Sequence, residues 1–143
     1  MLARLNEKMI VVNAYKYLGI YFTTRLSFSL ACQDLISRAK KAVISIISCM
    51  FRFQNDSIEV FLKLFDSQVQ PIVLYGAEIW GLEKGKDIER LQMFGLKRFL
   101  QINRKTPNDI VYAEMGRYPL YVNAYLACVR YWLKLVMMEC YTI

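Results

Sequence analysis

The segment that most limits the possible folds of this chain is residues 69–81, VQPIVLYGAEIWG. Glu78 is its only charged residue, and it contains Pro71, Gly76 and Gly81, which the interior of an ordinary buried helix avoids. The segments on both sides have the spacing of amphipathic helices, so each requires an apolar surface to pack against. We therefore expect residues 69–81 to form a core helix, bent at Pro71, on which the flanking helices pack.

The composition is that of one domain that packs against further structure. A chain of 143 residues is able to bury about two-thirds of its unfolded surface, yet 56% of these residues are hydrophobic and the mean hydropathy is +0.23. No uncharged apolar run approaches the roughly 20 residues that cross a bilayer, and residues 1–8 contain no signal-peptide core. We expect an intracellular protein, cytoplasmic, nuclear or both, that is neither secreted nor membrane-bound.

The charge indicates a polyanionic partner, whereas the usual catalytic residues are missing. The net charge of +7 favours nucleic acid, the commonest polyanion. The lack of histidine removes Ser-His and Cys-His nucleophiles. The acidic residues are scattered singly, with no Asp-Asp or Asp-x-Asp pair to hold two metal ions, and the four cysteines lack metal-binding spacing. The residues therefore predict no catalytic site, metal site or cofactor.

The residue pattern predicts an α+β fold, mostly α-helical, with four to five helices and a short N-terminal β-hairpin. Residues 9–12 are expected to pair with residues 17–23, with Asn13-Ala14 as the turn. Residues 29–53 have helical spacing with one apolar face. The opposite face is a stripe of basic and hydroxyl side chains, Arg38, Lys41, Ser45, Ser48 and Arg52. Such a stripe is able to follow a phosphate backbone, and it is equally typical of a solvated helix face.

The start of the next helix follows from its capping residues. Asp56, with Glu59 three residues later, is expected to cap a helix that continues through Pro71. A helix over residues 87–102 is expected next. Its C-terminal half and the residues after it carry a basic cluster, Lys97, Arg98, Arg104 and Lys105, which also complements the helix dipole.

The last two helices are expected at Thr106-Pro107, as N-cap and first helical residue, and over residues 120–140. Gly116 is the expected end of the first of them. The last helix is apolar around most of its circumference, so it is either buried or lacks its partner.

The stretches YKYLGIYF, PIVLYGAEIWG and EMGRYPL occur in this order along the chain. Together they resemble the reverse transcriptases of non-LTR (LINE-type) retrotransposons. Residues 15–22, YKYLGIYF, look like the hairpin that closes the palm of these enzymes. Residues 71–81, PIVLYGAEIWG, look like the family's P-x-x-x-YG-x-E-x-WG thumb segment. Leu91-Gln92 with the residues that follow, Thr106-Pro107-Asn108, and residues 114–120, EMGRYPL, are similar to the next landmarks. The resemblance extends over residues 8–134.

The resemblance implies a palm remnant over residues 1–27, ending in a primer-grip-like hairpin, and a thumb-like helical region over residues 28–143. The hairpin would lie at the primer end, although Tyr17 and Leu18 would equally suit the palm core. The helices would hold a template–primer duplex of RNA and DNA. The implied nucleic-acid-binding residues are Lys16, Tyr17, Leu18, Gly19, Arg38, Lys41, Arg52, Lys97, Arg98, Arg104 and Lys105.

The family's catalytic aspartates precede the hairpin and are missing from this sequence. Nucleotidyl transfer and its Mg²⁺ are therefore expected only in a complete parent polymerase, whose palm and fingers would be partners of this chain. Two other interpretations stay open. One is a non-catalytic helical module whose apolar last helix docks on a protein, and the other is a decayed relic without a selected function.

Overall fold

The computed structural model describes residues 13–25, 27–83 and 85–140, in which a β-hairpin is followed by helices. The elements are β1 (Ala14–Tyr17), β2 (Ile20–Thr23), α1 (Ser29–Arg52), α2 (Ile58–Leu64), a π-helical turn (Phe65–Val69), α3 (Gln70–Val73), α4 (Ala77–Trp80), α5 (Gly85–Phe99), α6 (Asn108–Met115) and α7 (Tyr121–Cys140). Because α2, the π-helical turn and α3 are continuous, the described residues form six helices. The predicted α+β, mostly helical fold is confirmed.

The hairpin differs from the prediction in the position of its turn. Strands β1 and β2 pair antiparallel with Tyr17 opposite Ile20, so the turn is Leu18-Gly19 and not Asn13-Ala14. Leu18 and Gly19 have φ values of 47° and 87°, and a two-residue turn with both φ angles positive matches the twist of the strands that it joins. The predicted partner strand, residues 9–12, lies outside the described residues.

Helix α1 confirms the predicted amphipathic helix. Its predicted apolar face is buried except for Ile36, which is partly exposed. The buried face packs against α3, the π-helical turn and α5. At the crossing with α5, a β-carbon on Gly95 would lie 3.3 Å from Val43 and 3.2 Å from the Phe65 ring, so the small residue allows the helices to approach closely.

Residues 69–81 form the expected core surface, but they do not form one bent helix. Val69, Val73, Ala77 and Trp80 are all buried. The break falls at Gly76. Its left-handed φ of 69° ends the preceding helical segment, and α4 begins at the next residue, Ala77. Pro71 is the second residue of α3, directly after the π-helical turn, so the helix that begins with α2 continues through this proline as predicted.

Several predicted helix boundaries are also wrong by one to three residues. The N-cap of α2 is Ser57, whose Oγ accepts from the Val60 N–H at 3.5 Å, in place of Asp56. Helix α5 ends at Phe99, and α6 has Pro107 at its N-cap instead of Thr106. The predicted end of α6 is confirmed, because Gly116 takes a left-handed φ of 58°.

Helix α7 packs its first half on α4 and α5 and extends beyond them. Ala124 and Cys128 are buried, whereas every side chain over residues 129–138 is exposed. No helix in the part of the chain that the structure describes is long and apolar enough to cross a membrane.

Candidate nucleic-acid interface

The hairpin turn is held by two side chains from distant parts of the chain. The Tyr75 hydroxyl donates to the Leu18 carbonyl oxygen at 2.8 Å, and Arg38 Nη2 donates to the Gly19 carbonyl oxygen at 3.2 Å. Both carbonyl oxygens of the turn therefore have a partner, one from the segment 69–81 and one from α1. The side chains of Tyr17 and Leu18 remain 57% and 72% exposed beside them.

Asp34 links the hairpin to α1 through a small ion-pair network. Its Oδ2 lies 2.9 Å from Arg38 Nη2 and 3.4 Å from Lys16 Nζ. The Lys16 ammonium also lies 4.8 Å from the centre of the Tyr21 ring. Lys16 and Arg38 therefore already have an anionic partner within the protein. Their role in the structure is to hold the hairpin against α1.

Gly76 and Trp80 of the segment 69–81 have structural roles where this segment meets the hairpin. A β-carbon on Gly76 would lie 2.6 Å from Ile20 Cδ1, so Gly76 leaves the space that β2 occupies. Trp80 Nε1 donates to the Tyr75 carbonyl oxygen at 3.2 Å, which fixes the backbone that carries the Tyr75 ring. Tyr75, Gly76 and Trp80 thus serve one task, the docking of the hairpin.

The rest of the basic stripe on α1 is exposed. Lys41, Ser45, Ser48 and Arg52 are all exposed, and neither Lys41 nor Arg52 forms an ion pair with another described residue. Lys41 and Arg52 are separated by eleven helical residues, which is about 16 Å along the axis. The stripe therefore offers two cations with hydroxyl groups between them, the side-chain types that commonly contact phosphates.

The predicted cluster at the end of α5 divides into one buried and three exposed residues. Lys97 is 9% exposed, and its ammonium donates to the carbonyl oxygens of Arg104 at 3.1 Å and Thr106 at 2.6 Å, and to Asn108 Oδ1 at 2.8 Å. These acceptors satisfy the ammonium, so Lys97 holds the connection between α5 and α6 and is not free to bind a phosphate. Arg98, Arg104 and Lys105 are exposed.

A groove of about 1360 Å³ between α1 and α5 contains basic residues that the sequence pattern did not single out. Lys40 contributes from α1, and Lys86 and Arg90 contribute from α5, together with Arg98 and Arg104. Lys86 and Arg90 are four residues apart, and this spacing places them on one helix face, which is the signal that sequence reasoning had available. Lys105 does not line the groove.

The carboxylates of the described residues form no group of three that could hold a metal ion. Tyr112 on α6 has a displaced pKa. Burial raises the pKa of its hydroxyl well above the usual value, and the nearby Glu89 carboxylate raises it further. The Tyr112 hydroxyl donates to Gln92 Oε1 at 3.4 Å, so it belongs to the packing of α5 and α6.

Comparison with known proteins relates the chain to reverse transcriptases. A stretch of 80 residues, 56% of the chain, is 31% identical to the probable RNA-directed DNA polymerase from transposon X-element of Drosophila melanogaster. The stretch covers 9% of that protein's length, so the match concerns a small part of the polymerase. No protein-family model and no solved structure matches the chain. The similarity supports a reverse-transcriptase-like relationship.

Proposed function

We propose that this chain is the thumb-like, C-terminal part of a non-LTR retrotransposon reverse transcriptase and that it holds the backbone of an RNA–DNA template–primer duplex. The observation that carries the proposal is the hydrogen bond from Tyr75 to Leu18. It joins the segment that resembles the palm hairpin to the segment that resembles the thumb. The similarity to an RNA-directed DNA polymerase supports the reverse-transcriptase-related part of the proposal.

In this proposal the stripe on α1 contacts the duplex through phosphates. Lys41 and Arg52 supply the charge, and Ser45 and Ser48 supply hydroxyl donors. Arg38 and Lys16 hold the hairpin against the same helix. Binding that rests on a few phosphate contacts releases few counterions, so it is weak and falls as salt is added. It also carries no base specificity, because phosphates are alike in every sequence.

The chemistry of nucleotide addition belongs, in the same proposal, to a complete parent polymerase. Its palm and fingers would carry the catalytic carboxylates and Mg²⁺, and this chain would contribute the grip on the duplex. The partners are thus the template–primer duplex and the remainder of the polymerase.

The test is fluorescence anisotropy with a labelled RNA–DNA hybrid at 50 mM salt. Lys41→Glu/Arg52→Glu replaces two positive charges of the stripe with two negative ones and leaves Arg38 in place to hold the hairpin. The matched control is Arg130→Glu/Lys134→Glu, which changes the charge equally at two exposed positions of α7. We expect the stripe variant to bind at least tenfold more weakly and the control to stay within about twofold. No binding by the unaltered chain, or equal losses in both variants, would overturn the proposal.

A second candidate function is docking of α7 on a protein partner, which the exposure of its C-terminal half favours. Eight apolar side chains over residues 129–138 are exposed, among them Trp132 at 63% and Met137 at 65%. If this is the main function, a partner-binding assay would respond to Trp132→Ala and not to Lys41→Glu/Arg52→Glu. The opposite result would leave duplex binding as the better proposal.

A further inference from the structure

The groove between α1 and α5 has a surplus of positive charge that the duplex-holding role does not use. Of the described residues that line it, six are basic and two are acidic. Both acids already have partners, because Asp87 pairs with Arg90 at 3.2 Å and Glu89 accepts from Asn108 Nδ2 at 3.3 Å. Asn108 is a neutral donor and leaves the charge of Glu89 in place, so six cations and two carboxylates give the groove lining a net charge of +4.

Four cations of the groove have neither an ion-pair partner nor a side-chain hydrogen bond among the described residues. Lys97 is satisfied by its three oxygen acceptors and Arg90 by Asp87. The unpaired cations are Lys40, Lys86, Arg98 and Arg104. All four are exposed and come from three elements, α1, α5 and the connection between α5 and α6. The groove is thus a positive channel that attracts a polyanion from both walls.

The same groove also presents apolar surface between its cations. Ile36 and Phe94 are partly exposed in it, and Ile102 is 37% exposed. The Lys40 ammonium lies 5.9 Å from the centre of the Phe94 ring, so an aromatic face and a cation are adjacent. A ligand that fills the groove therefore needs both negative charges and flat apolar faces.

Size and surface chemistry select one ligand. The groove exceeds the roughly 300–1,000 Å³ of ordinary small-molecule pockets, which favours a polymer. A nucleic-acid duplex keeps its base faces stacked inside and offers mainly phosphates and sugars. A single strand offers phosphates together with open base faces, which stack on aromatic side chains in positively charged channels.

We infer that the α1–α5 groove binds single-stranded nucleic acid, with Lys40, Lys86, Arg98 and Arg104 on the phosphates and Phe94 as the platform for a base. The inference adds a second surface to the proposed function and does not depend on the stripe that holds the duplex. The bases are bound by stacking, so binding tolerates changes of sequence.

Fluorescence anisotropy of the whole chain with labelled dT12 and rU12 at 50 and 200 mM salt tests the inference. Lys86→Glu/Arg104→Glu reverses two groove cations, and Arg130→Glu/Lys134→Glu, with the same change of charge at two exposed positions of α7, is the matched control. We expect the groove variant to bind both strands at least tenfold more weakly and the control to stay within about threefold. Phe94→Leu keeps an apolar side chain of similar size and is expected to weaken binding about fivefold or more through lost stacking.

The outcomes separate this inference from the duplex proposal. Loss of single-strand binding in the groove variant with hybrid binding retained supports both. Single-strand binding that depends on the groove, without any hybrid binding, overturns the duplex proposal alone. Unchanged single-strand binding in the groove variant, or equal losses in the groove and control variants, overturns the inference. Where binding depends on the groove, a preference for rU12 or dT12 identifies the type of strand that it holds. Thermal unfolding of each variant checks that the fold is intact.

Discussion

The hydroxyl of Tyr75 lies 2.8 Å from the carbonyl oxygen of Leu18, although the two residues are 57 positions apart in the sequence. This hydrogen bond fastens a two-stranded hairpin, which is only marginally stable by itself, to the helical core. Arg38, on α1, donates a hydrogen bond to the adjacent carbonyl oxygen of Gly19. The hairpin is therefore positioned by tertiary contacts with α1 and with the segment 69–81.

Replacing Tyr75 with Phe is expected to loosen the hairpin without disturbing the core. The change removes one hydrogen bond and keeps the ring, so the free energy of unfolding should fall by about 1 kcal/mol. Amide hydrogen exchange over β1 and β2 should accelerate more than exchange over α1. Tyr118→Phe is the control, since that side chain is 86% exposed. If hairpin exchange is the same in both variants, Tyr75 does not hold the turn.

A Gly76→Ala substitution is expected to cost more than Gly116→Ala, although both glycines have a left-handed φ. Each change carries a backbone cost of about 1–2 kcal/mol. At Gly76 the added methyl group meets Ile20 Cδ1, whereas a β-carbon added at Gly116 would have no neighbouring atom within 4 Å. Crowding should add about 1 kcal/mol or more at Gly76.

Urea unfolding of both glycine variants measures this difference. Ile20→Ala combined with Gly76→Ala should recover part of the extra loss, because it removes the crowded atom. Equal losses in the two single variants would mean that the Ile20 side chain moves aside freely and that Gly76 is not needed for docking.

Much of the helical fold was predictable because each amphipathic helix has one apolar face. The burial of Leu35, Ala39 and Val43 follows from their spacing alone. The hairpin turn was not predictable in this way. Its first residue is Leu18, which has no intrinsic preference for positive φ, and the contacts that hold it come from residues far along the chain.

The candidate groove was less accessible to sequence reasoning than the stripe on α1. The stripe lies on one helix, so its spacing reveals it, whereas the groove depends on how α1 and α5 pack. The neighbours Lys97 and Arg98 look equivalent in the sequence. Only the connection from α5 to α6, which returns over Lys97, makes one a buried structural residue and leaves the other exposed.

This contrast predicts different effects of the same substitution at adjacent positions. Lys97→Met removes three hydrogen bonds from a charged donor and should lower the free energy of unfolding by about 2 kcal/mol. Arg98→Met changes an exposed side chain and should stay within about 0.5 kcal/mol. Urea unfolding at pH 7 measures both. Similar values for the two variants would contradict the structural role of Lys97.

The raised pKa of Tyr112 predicts that the folded protein loses stability at alkaline pH. Burial and the Glu89 carboxylate raise the pKa of its hydroxyl in the folded protein above the value of about 10 that it has in the unfolded chain. Below pH 10 both states hold the proton, and the group has no effect on stability. Above pH 10 the unfolded state releases the proton first and so binds fewer protons, which lowers the free energy of unfolding as the pH rises.

Comparison of the unaltered chain with Tyr112→Phe, by urea unfolding at pH 8 and pH 11, isolates this effect. The two proteins differ only at residue 112, so the difference between their pH-dependent losses of stability reports Tyr112 alone. We expect the unaltered chain to lose more stability between these pH values than Tyr112→Phe does. Tyr118→Phe should follow the unaltered chain, because it leaves the Tyr112 hydroxyl in place. An equal loss in Tyr112→Phe would show that Tyr112 ionises alike in the folded and unfolded states.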